Sequence, residues 1–117
     1  MTWMQISALG FIAFGELSVI YAEQLGAKLY GVLEYPFGHA FFLTLIPLIG
    51  GALCLVTGYM LGLKHFQNIW PVIAISFGSI LILEPLFGYF FIGDVPEFGQ
   101  AVGFTLGALG ILAVIFL

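Results

Sequence analysis

Residues 37–63 read FGHAFFLTLIPLIGGALCLVTGYMLGL, and this stretch decides the fold. It contains no Asp, Glu, Lys or Arg, and its only strongly polar side chain is His39, near its start. A helix needs about 20 consecutive apolar residues to cross the roughly 30 Å hydrocarbon core of a bilayer. The stretch exceeds that length, and it therefore predicts a transmembrane helix.

Three further segments have the same apolar character. They run from about 3 to 25, from 70 to 92 and from 95 to 117, and the short connections between the segments hold both lysines. The first segment lacks the basic n-region of a signal peptide, so we expect it to be a retained helix. The alternating period of barrel strands is absent. The sequence therefore predicts an all-α membrane protein, a single four-helix transmembrane bundle over residues 1–117.

The composition excludes several classes of protein. Of the 117 residues, 62% are hydrophobic and 7% are charged, with two basic and six acidic side chains. Soluble domains carry about 25% charged residues, and nucleic-acid binders carry a basic patch. A single cysteine, Cys54, allows no intramolecular disulfide, and the two histidines have no companion ligand at metal-binding spacing. We expect no enzyme activity, metal, cofactor or nucleic-acid partner, and we expect membrane lipid around the chain.

Two carboxyl groups fall near the middle of predicted spans. They belong to Glu16 and Glu84, and Glu23 lies two turns beyond Glu16 on nearly the same helix face. An ionised side chain at mid-bilayer costs about 2.5–3.5 kcal/mol on insertion scales, so such residues usually face protein or water and have a function. We predict that Glu16 exchanges a proton for a cation. The alternative is a permanently protonated Glu16 that is hydrogen-bonded to a neighbouring helix. We interpret Glu23 as a residue at the rim of the membrane.

Prolines and aromatic residues suggest a moving interior. Pro47 and Pro85 lie inside predicted spans and predict helix kinks, because proline removes a backbone hydrogen bond. Tyr59 and Phe77 are candidates to line a substrate pocket. Glu84 directly precedes Pro85, so its carboxyl group serves either the distorted turn or the substrate; both alternatives stay open.

The fourth segment carries glycines four residues apart, at Gly99, Gly103 and Gly107. Glycines at this spacing share a helix face and allow another helix to approach closely, so they predict a dimer contact. The two lysines, Lys28 and Lys64, fall on opposite sides of a four-span chain. Membrane orientation follows the lysine and arginine bias, which is absent here. The sequence therefore favours a dimer. It is an antiparallel homodimer if the chain inserts in both orientations, and otherwise a parallel pair or a heterodimer with a related subunit.

The second half of the chain resembles a known superfamily. Residues 83–87 (LEPLF), 93–96 (GDVP) and the glycine-rich run 103–112 resemble the last two helices of the repeat in the drug/metabolite transporter superfamily. Four spans in so short a chain further resemble the small multidrug resistance family, whose members exchange protons for cationic substrates as antiparallel dimers. The resemblance implies that Glu16 corresponds to that family's membrane glutamate, that the glycine-rich helix forms the dimer contact, and that the membrane is a bacterial or archaeal inner membrane.

We therefore predict a small proton-coupled exporter of a cationic or polar organic solute. Protons and solute would compete for Glu16 in a cavity shared by two protomers, and occupancy would shift the protein between inward-open and outward-open states. Three alternatives remain: a subunit of a lipid-linked sugar flippase, a non-transporting assembly subunit, and a passive ion channel. The channel is the least favoured, because an anion pore needs cationic or amide donors in its walls, and no predicted span contains Lys, Arg or Asn.

Overall fold

Helices make up nearly the whole chain. The computed structural model describes residues 2–117, apart from the side chain of Ile115. The helices are α1 (Trp3–Gly31), α2 (Phe37–Phe66), α3 (Ile69–Phe87) and α4 (Phe98–Phe116), and a π-helical turn, Gly88–Ile92, continues α3. In the described chain three segments are long and apolar enough to cross a membrane, and α4 is a shorter apolar helix. The all-α prediction is confirmed, and the three long helices indicate an integral membrane protein.

The start of α1 is fixed by a capping box. The Gln5 backbone N–H donates to the Thr2 hydroxyl, and the Thr2 N–H donates to Oε1 of Gln5. These bonds satisfy amide groups that have no partner within the helix. The Gln5 side chain also donates to the carbonyl of His65, at 3.0 Å, and so joins the start of α1 to the end of α2.

Helix α1 continues six residues beyond its predicted end near residue 25. Gly26 does not break it, because the helix packs closely there: a Cβ atom at Gly26 would lie 3.1 Å from Cγ2 of Thr44 on α2. Two residues later, the ammonium group of Lys28 donates to the carbonyl oxygen of Phe91, at 2.9 Å. Tertiary contacts therefore stabilise a segment that its sequence marks as a loop.

Helix α4 begins at Phe98, three residues after the predicted start at Val95. Its N-cap is Glu97, whose N–H donates to Oε1 of Gln100 in a second capping box. The π-turn extends to Ile92, and Gly93 leaves it with a φ of 94°, in the left-handed region that favours glycine. Asp94 therefore still belongs to the connection, and its own N–H donates back to the carbonyl of Gly88.

Glycines bring α1 and α2 into backbone contact. A Cβ atom at Gly51 would lie 2.9 Å from the carbonyl oxygen of Gly15, and one at Gly58 would lie 2.9 Å from the amide nitrogen of Ile12. Both distances are shorter than a normal van der Waals contact. Gly62 makes the next close contact, against Val72 of α3. The glycine pair Gly58 and Gly62 thus serves packing within the chain.

The four helices form a wide, thin assembly rather than a square bundle. Helix α1 contacts α2, α3 and the π-turn, whereas α4 contacts α3 alone among the described elements. The Cα atoms extend over 46 × 34 × 16 Å. Two adjacent helices span about 15 Å between their outer Cα atoms, so 34 Å needs more than two helices side by side. Helix α1 is therefore central and α4 is peripheral.

Candidate functional site

Glu16 lies close to the middle of α1 and points into the protein. Its residue surface is 7% exposed, and Oε1 accepts a hydrogen bond of 2.5 Å from the hydroxyl group of Ser76 on α3. Ser76 is equally buried. O–H···O hydrogen bonds in proteins measure about 2.5–3.0 Å. The structure thus joins the predicted acid to a serine on the neighbouring helix.

Apolar side chains enclose this pair along the helix. Ile12 and Ile20 lie one turn on either side of Glu16, and their exposed fractions are 0% and 2%. On α3, Ala74 is similarly buried, two residues before Ser76. A hydrogen bond is electrostatically stronger in such surroundings than in water, and an unpaired polar group is correspondingly costly. The bond to Ser76 therefore compensates for burying the Glu16 carboxyl group.

The carboxyl group of Glu16 is nevertheless not sealed. Ser76 is the only side-chain hydrogen-bond partner that Glu16 has in the described chain, and it uses Oε1. Within the same residues, no fully enclosed side-chain oxygen or nitrogen atom lacks a partner. The second oxygen, Oε2, must therefore keep some accessible surface. One oxygen is held by α3, and the other has no side-chain partner among the described residues.

Two more carboxyl groups lie near the first. Glu23 is exposed and Glu84 is half-buried, and Glu23 is within range for electrostatic interaction with both Glu84 and Glu16. By helix rise, Glu23 lies about 10 Å from Glu16 towards the end of α1. The structure thus brings together the three membrane acids that the sequence singled out, with Glu16 the most deeply buried.

Five of the six acidic residues lie towards one end of the molecule, and Glu16 lies near the middle of α1. The connections 32–36 and 93–97 occur at this end, and they hold three of the five acids. The opposite end, formed by the start of α1, the connection 67–68 and the end of α4, holds none. The acidic end also holds one lysine, Lys28, so its net charge is negative. A negative surface raises the local concentration of cations.

Sequence reasoning missed the role of Lys28. Its ammonium group donates to the carbonyl of Phe91 and lies 4.5 Å from the centre of the Phe91 ring. Tyr21 packs against the same ring, at 5.9 Å between centroids, and against Phe87 at 6.3 Å. These contacts attach the π-turn to α1. The only signal in the sequence was a lysine close to the end of a long apolar segment.

The two predicted aromatic pocket residues are less buried than Glu16 and Ser76. Phe77 is 56% exposed on the outer surface of α3, and Tyr59 is half-buried on α2. Both predicted kink prolines lie inside helices: Pro47 in α2 and Pro85 in α3, three residues before the π-turn begins. Pro85 has no N–H to donate, and the irregular turn follows directly from that position.

The glycines of α4 divide into two groups. A Cβ atom at Gly99 or Gly103 would meet no atom within 4 Å, whereas one at Gly107 would lie 3.3 Å from Leu81 of α3. Gly107 therefore packs within the chain and is not free for the predicted dimer contact. Gly99 and Gly103 remain open.

Comparison with known protein families, curated proteins and solved structures finds no match for this chain. The resemblance to the small multidrug resistance family therefore stays a prediction from the sequence.

Proposed function

We propose that this protein is a small proton-coupled membrane transporter of a cationic organic solute. The observation that carries the proposal is the carboxyl group of Glu16, which lies at the middle of α1 with one oxygen bonded to Ser76 and the other without a side-chain partner among the described residues. Intramembrane carboxyl groups that face a protein interior commonly bind protons or substrates. In this proposal all four helices span the membrane; α4, at 19 residues, is about 28 Å long.

Ser76 is suited to both states of a proton switch. A hydroxyl group has one hydrogen to donate and lone pairs with which to accept. It donates to an ionised Glu16, and it accepts from a protonated one after rotation about its C–O bond. Glu16 can therefore release its proton while Oε1 keeps a hydrogen-bond partner. In our proposal a cation then binds at Oε2 and takes the place of the positive charge of the proton.

A single chain of this shape does not enclose a pathway, which supports a dimer. The assembly is 16 Å thick, and α4 contacts α3 alone among the described elements. The open glycines Gly99 and Gly103 lie on this peripheral helix. In our proposal a second copy packs against that face, and the cavity lies between the two copies.

The proposal is tested with purified protein in liposomes under a pH gradient. The measured quantity is proton-driven flux of ethylammonium and tetraethylammonium. We expect Glu16→Gln to abolish flux, because an amide neither releases nor binds the proton. Transport that remains coupled in Glu16→Gln, or no transport of either cation by the wild type, contradicts the proposal.

Two serines of α3 provide a matched pair of variants. Ser76 donates to Glu16, whereas Ser79 donates to the carbonyl of Ile75 on its own helix. Removing the hydroxyl of Ser76 leaves Oε1 of Glu16 without its partner. We therefore expect Ser76→Ala to reduce proton-driven flux and Ser79→Ala to leave it at the wild-type rate. Equal flux in the two variants would contradict a role for the Ser76 bond in transport.

A non-transporting assembly subunit is the second candidate, since the open face of α4 equally fits an unlike partner. The two functions predict different results for Gly103→Val. A transporter dimer loses association and flux together. An assembly subunit shows no flux in the wild type, and the variant loses only its association with other membrane proteins.

A further inference from the structure

A groove between α1 and α2 lies outside the Glu16 site. It has a volume of about 360 Å³ and is open on one side. Its walls include Glu23 and Tyr30 from α1, and Phe37, Phe41 and Leu48 from α2. Pockets for small molecules measure about 300–1,000 Å³, so the groove has room for a small ligand.

The walls of the groove follow one stripe of each helix. On α1, Glu23, Ala27 and Tyr30 are separated by four and three residues, and on α2, Phe37 and Phe41 are separated by four. Residues at these spacings share a helix face. The Tyr30 and Phe37 rings meet edge to face at 5.6 Å, and Phe37 stacks near Phe41 at 6.1 Å. The groove therefore has one long aromatic wall.

The groove offers no second carboxylate. Gly26 and Thr44 belong to its lining, and a Cβ atom at Gly26 would lie 3.1 Å from Cγ2 of Thr44. The hydroxyl of Thr44 donates to the carbonyl of Phe41 at 2.7 Å, and its oxygen can still accept from an ammonium group. Glu23 is thus the only ionisable group of the lining apart from the Tyr30 phenol.

Neither lysine of the chain is placed to neutralise Glu23. Lys28 donates to the carbonyl of Phe91 and lies over its ring, on the side of α1 that contacts the π-turn. Lys64 lies near the far end of α2, whereas the groove begins at Phe37, the first residue of that helix. A carboxylate beside an apolar aromatic wall is complementary to a cation that carries an apolar chain.

We propose that this groove binds a single-chain amphiphilic ammonium, with its head on Glu23 and its chain along Tyr30, Phe37 and Phe41. The groove offers one aromatic strip, which suits one chain and not the two chains of a phospholipid. Because the site does not use Glu16 or Ser76, the proposal does not depend on proton coupling. It adds a second binding site to the molecule, nearer to the acidic end.

The test is equilibrium binding of radiolabelled octylammonium to the full chain in phosphatidylcholine nanodiscs, with empty nanodiscs subtracted. We expect Glu23→Gln to weaken binding at least about tenfold, the loss expected for one hydrogen bond to a charged group. Glu34→Gln is the matched control, because it removes the same charge from the 32–36 connection, outside the groove lining. It should change the affinity less than about twofold. 1-Octanol, which has the chain without the charge, should compete poorly.

Three results would overturn the proposal. The first is that octylammonium shows no saturable binding above empty nanodiscs. The second is that Glu34→Gln weakens binding as much as Glu23→Gln does, and the third is that Glu16→Gln abolishes binding while Glu23→Gln leaves it unchanged. The same measurement is repeated in nanodiscs that contain phosphatidylethanolamine. If this lipid abolishes octylammonium binding, its headgroup is the occupant of the groove instead.

Ala27→Phe, which fills the groove without removing charge, should also reduce binding while the helical circular dichroism is retained. Octylammonium binding that persists in Ala27→Phe likewise overturns the proposal.

Discussion

Replacing Gly58 by alanine tests the contact that holds α2 against α1. The added Cβ atom would lie 2.6 Å from Cγ1 of Ile12, 2.9 Å from its amide nitrogen and 3.1 Å from the carbonyl oxygen of Ala8. A different rotamer of Ile12 relieves the first of these contacts. It does not relieve the other two, because they involve backbone atoms of α1. The helices must therefore separate by a large fraction of an ångström.

The expected cost follows from a comparison with Gly50, on the same helix. A Cβ atom at Gly50 meets nothing within 4 Å. Both substitutions remove one glycine from a helix interior, which by itself stabilises a helix by about 0.5–1 kcal/mol. This gain cancels in the difference between the two variants. Overpacking a filled interior costs about 1–3 kcal/mol, so Gly58→Ala should be less stable than Gly50→Ala by that amount.

The assay is reversible unfolding of each variant in mixed micelles with increasing sodium dodecyl sulfate, followed by circular dichroism. Gly50→Ala should unfold at or above the wild-type midpoint, and Gly58→Ala clearly below it. Equal midpoints for the two variants would refute the close approach of α1 and α2. Since this contact orients α1, the position of Glu16 would then also be in doubt.

Two further pairs of substitutions test other contacts of the assembly. Lys28→Met should lower the free energy of unfolding by about 1–2 kcal/mol, since the bond to the carbonyl of Phe91 is lost, whereas Lys64→Met should change it little. Equal effects of the two substitutions in the same unfolding assay would exclude a specific role for Lys28. Gly107→Val should destabilise the chain by about 1–3 kcal/mol, because its methyl groups meet Leu81. Gly103→Val should leave the free energy of unfolding within about 0.5 kcal/mol of the wild-type value, and it should reduce the dimer fraction in size-exclusion chromatography with light scattering. A destabilised Gly103→Val variant, or a Gly107→Val variant as stable as the wild type, would contradict the orientation of α4.

The fold was largely predictable because hydrophobic length is a strong local signal. Helix α2 begins at the predicted Phe37, and it continues through Pro47 to Phe66. The errors occurred where tertiary contacts decide. Gly26 and Lys28 belong to α1 because each contacts another helix. For α4, both Asp94 and Glu97 have a suitable residue three positions later, and only the length of the π-turn selects Glu97 as the N-cap.

The candidate site was predictable only in part. A carboxyl group at the middle of an apolar segment is costly, so the sequence identified Glu16. Its partner was not identifiable, because α3 holds two serines and only the packing of α3 on α1 distinguishes Ser76 from Ser79. The glycine spacing was similarly ambiguous: Gly103 and Gly107 belong to one pattern, yet only Gly107 packs against α3.

The central claim is that the Glu16 carboxyl group exchanges its proton for a cation. The most direct measurement is the infrared difference spectrum of the full protein in nanodiscs, wild type minus Glu16→Gln, before and after addition of ethylammonium at constant pH. We predict a carbonyl band of a protonated carboxylic acid that is lost on addition of the cation, together with release of one proton per protein into the buffer. A band that persists unchanged when the cation is added, with no proton released, would contradict the proposal.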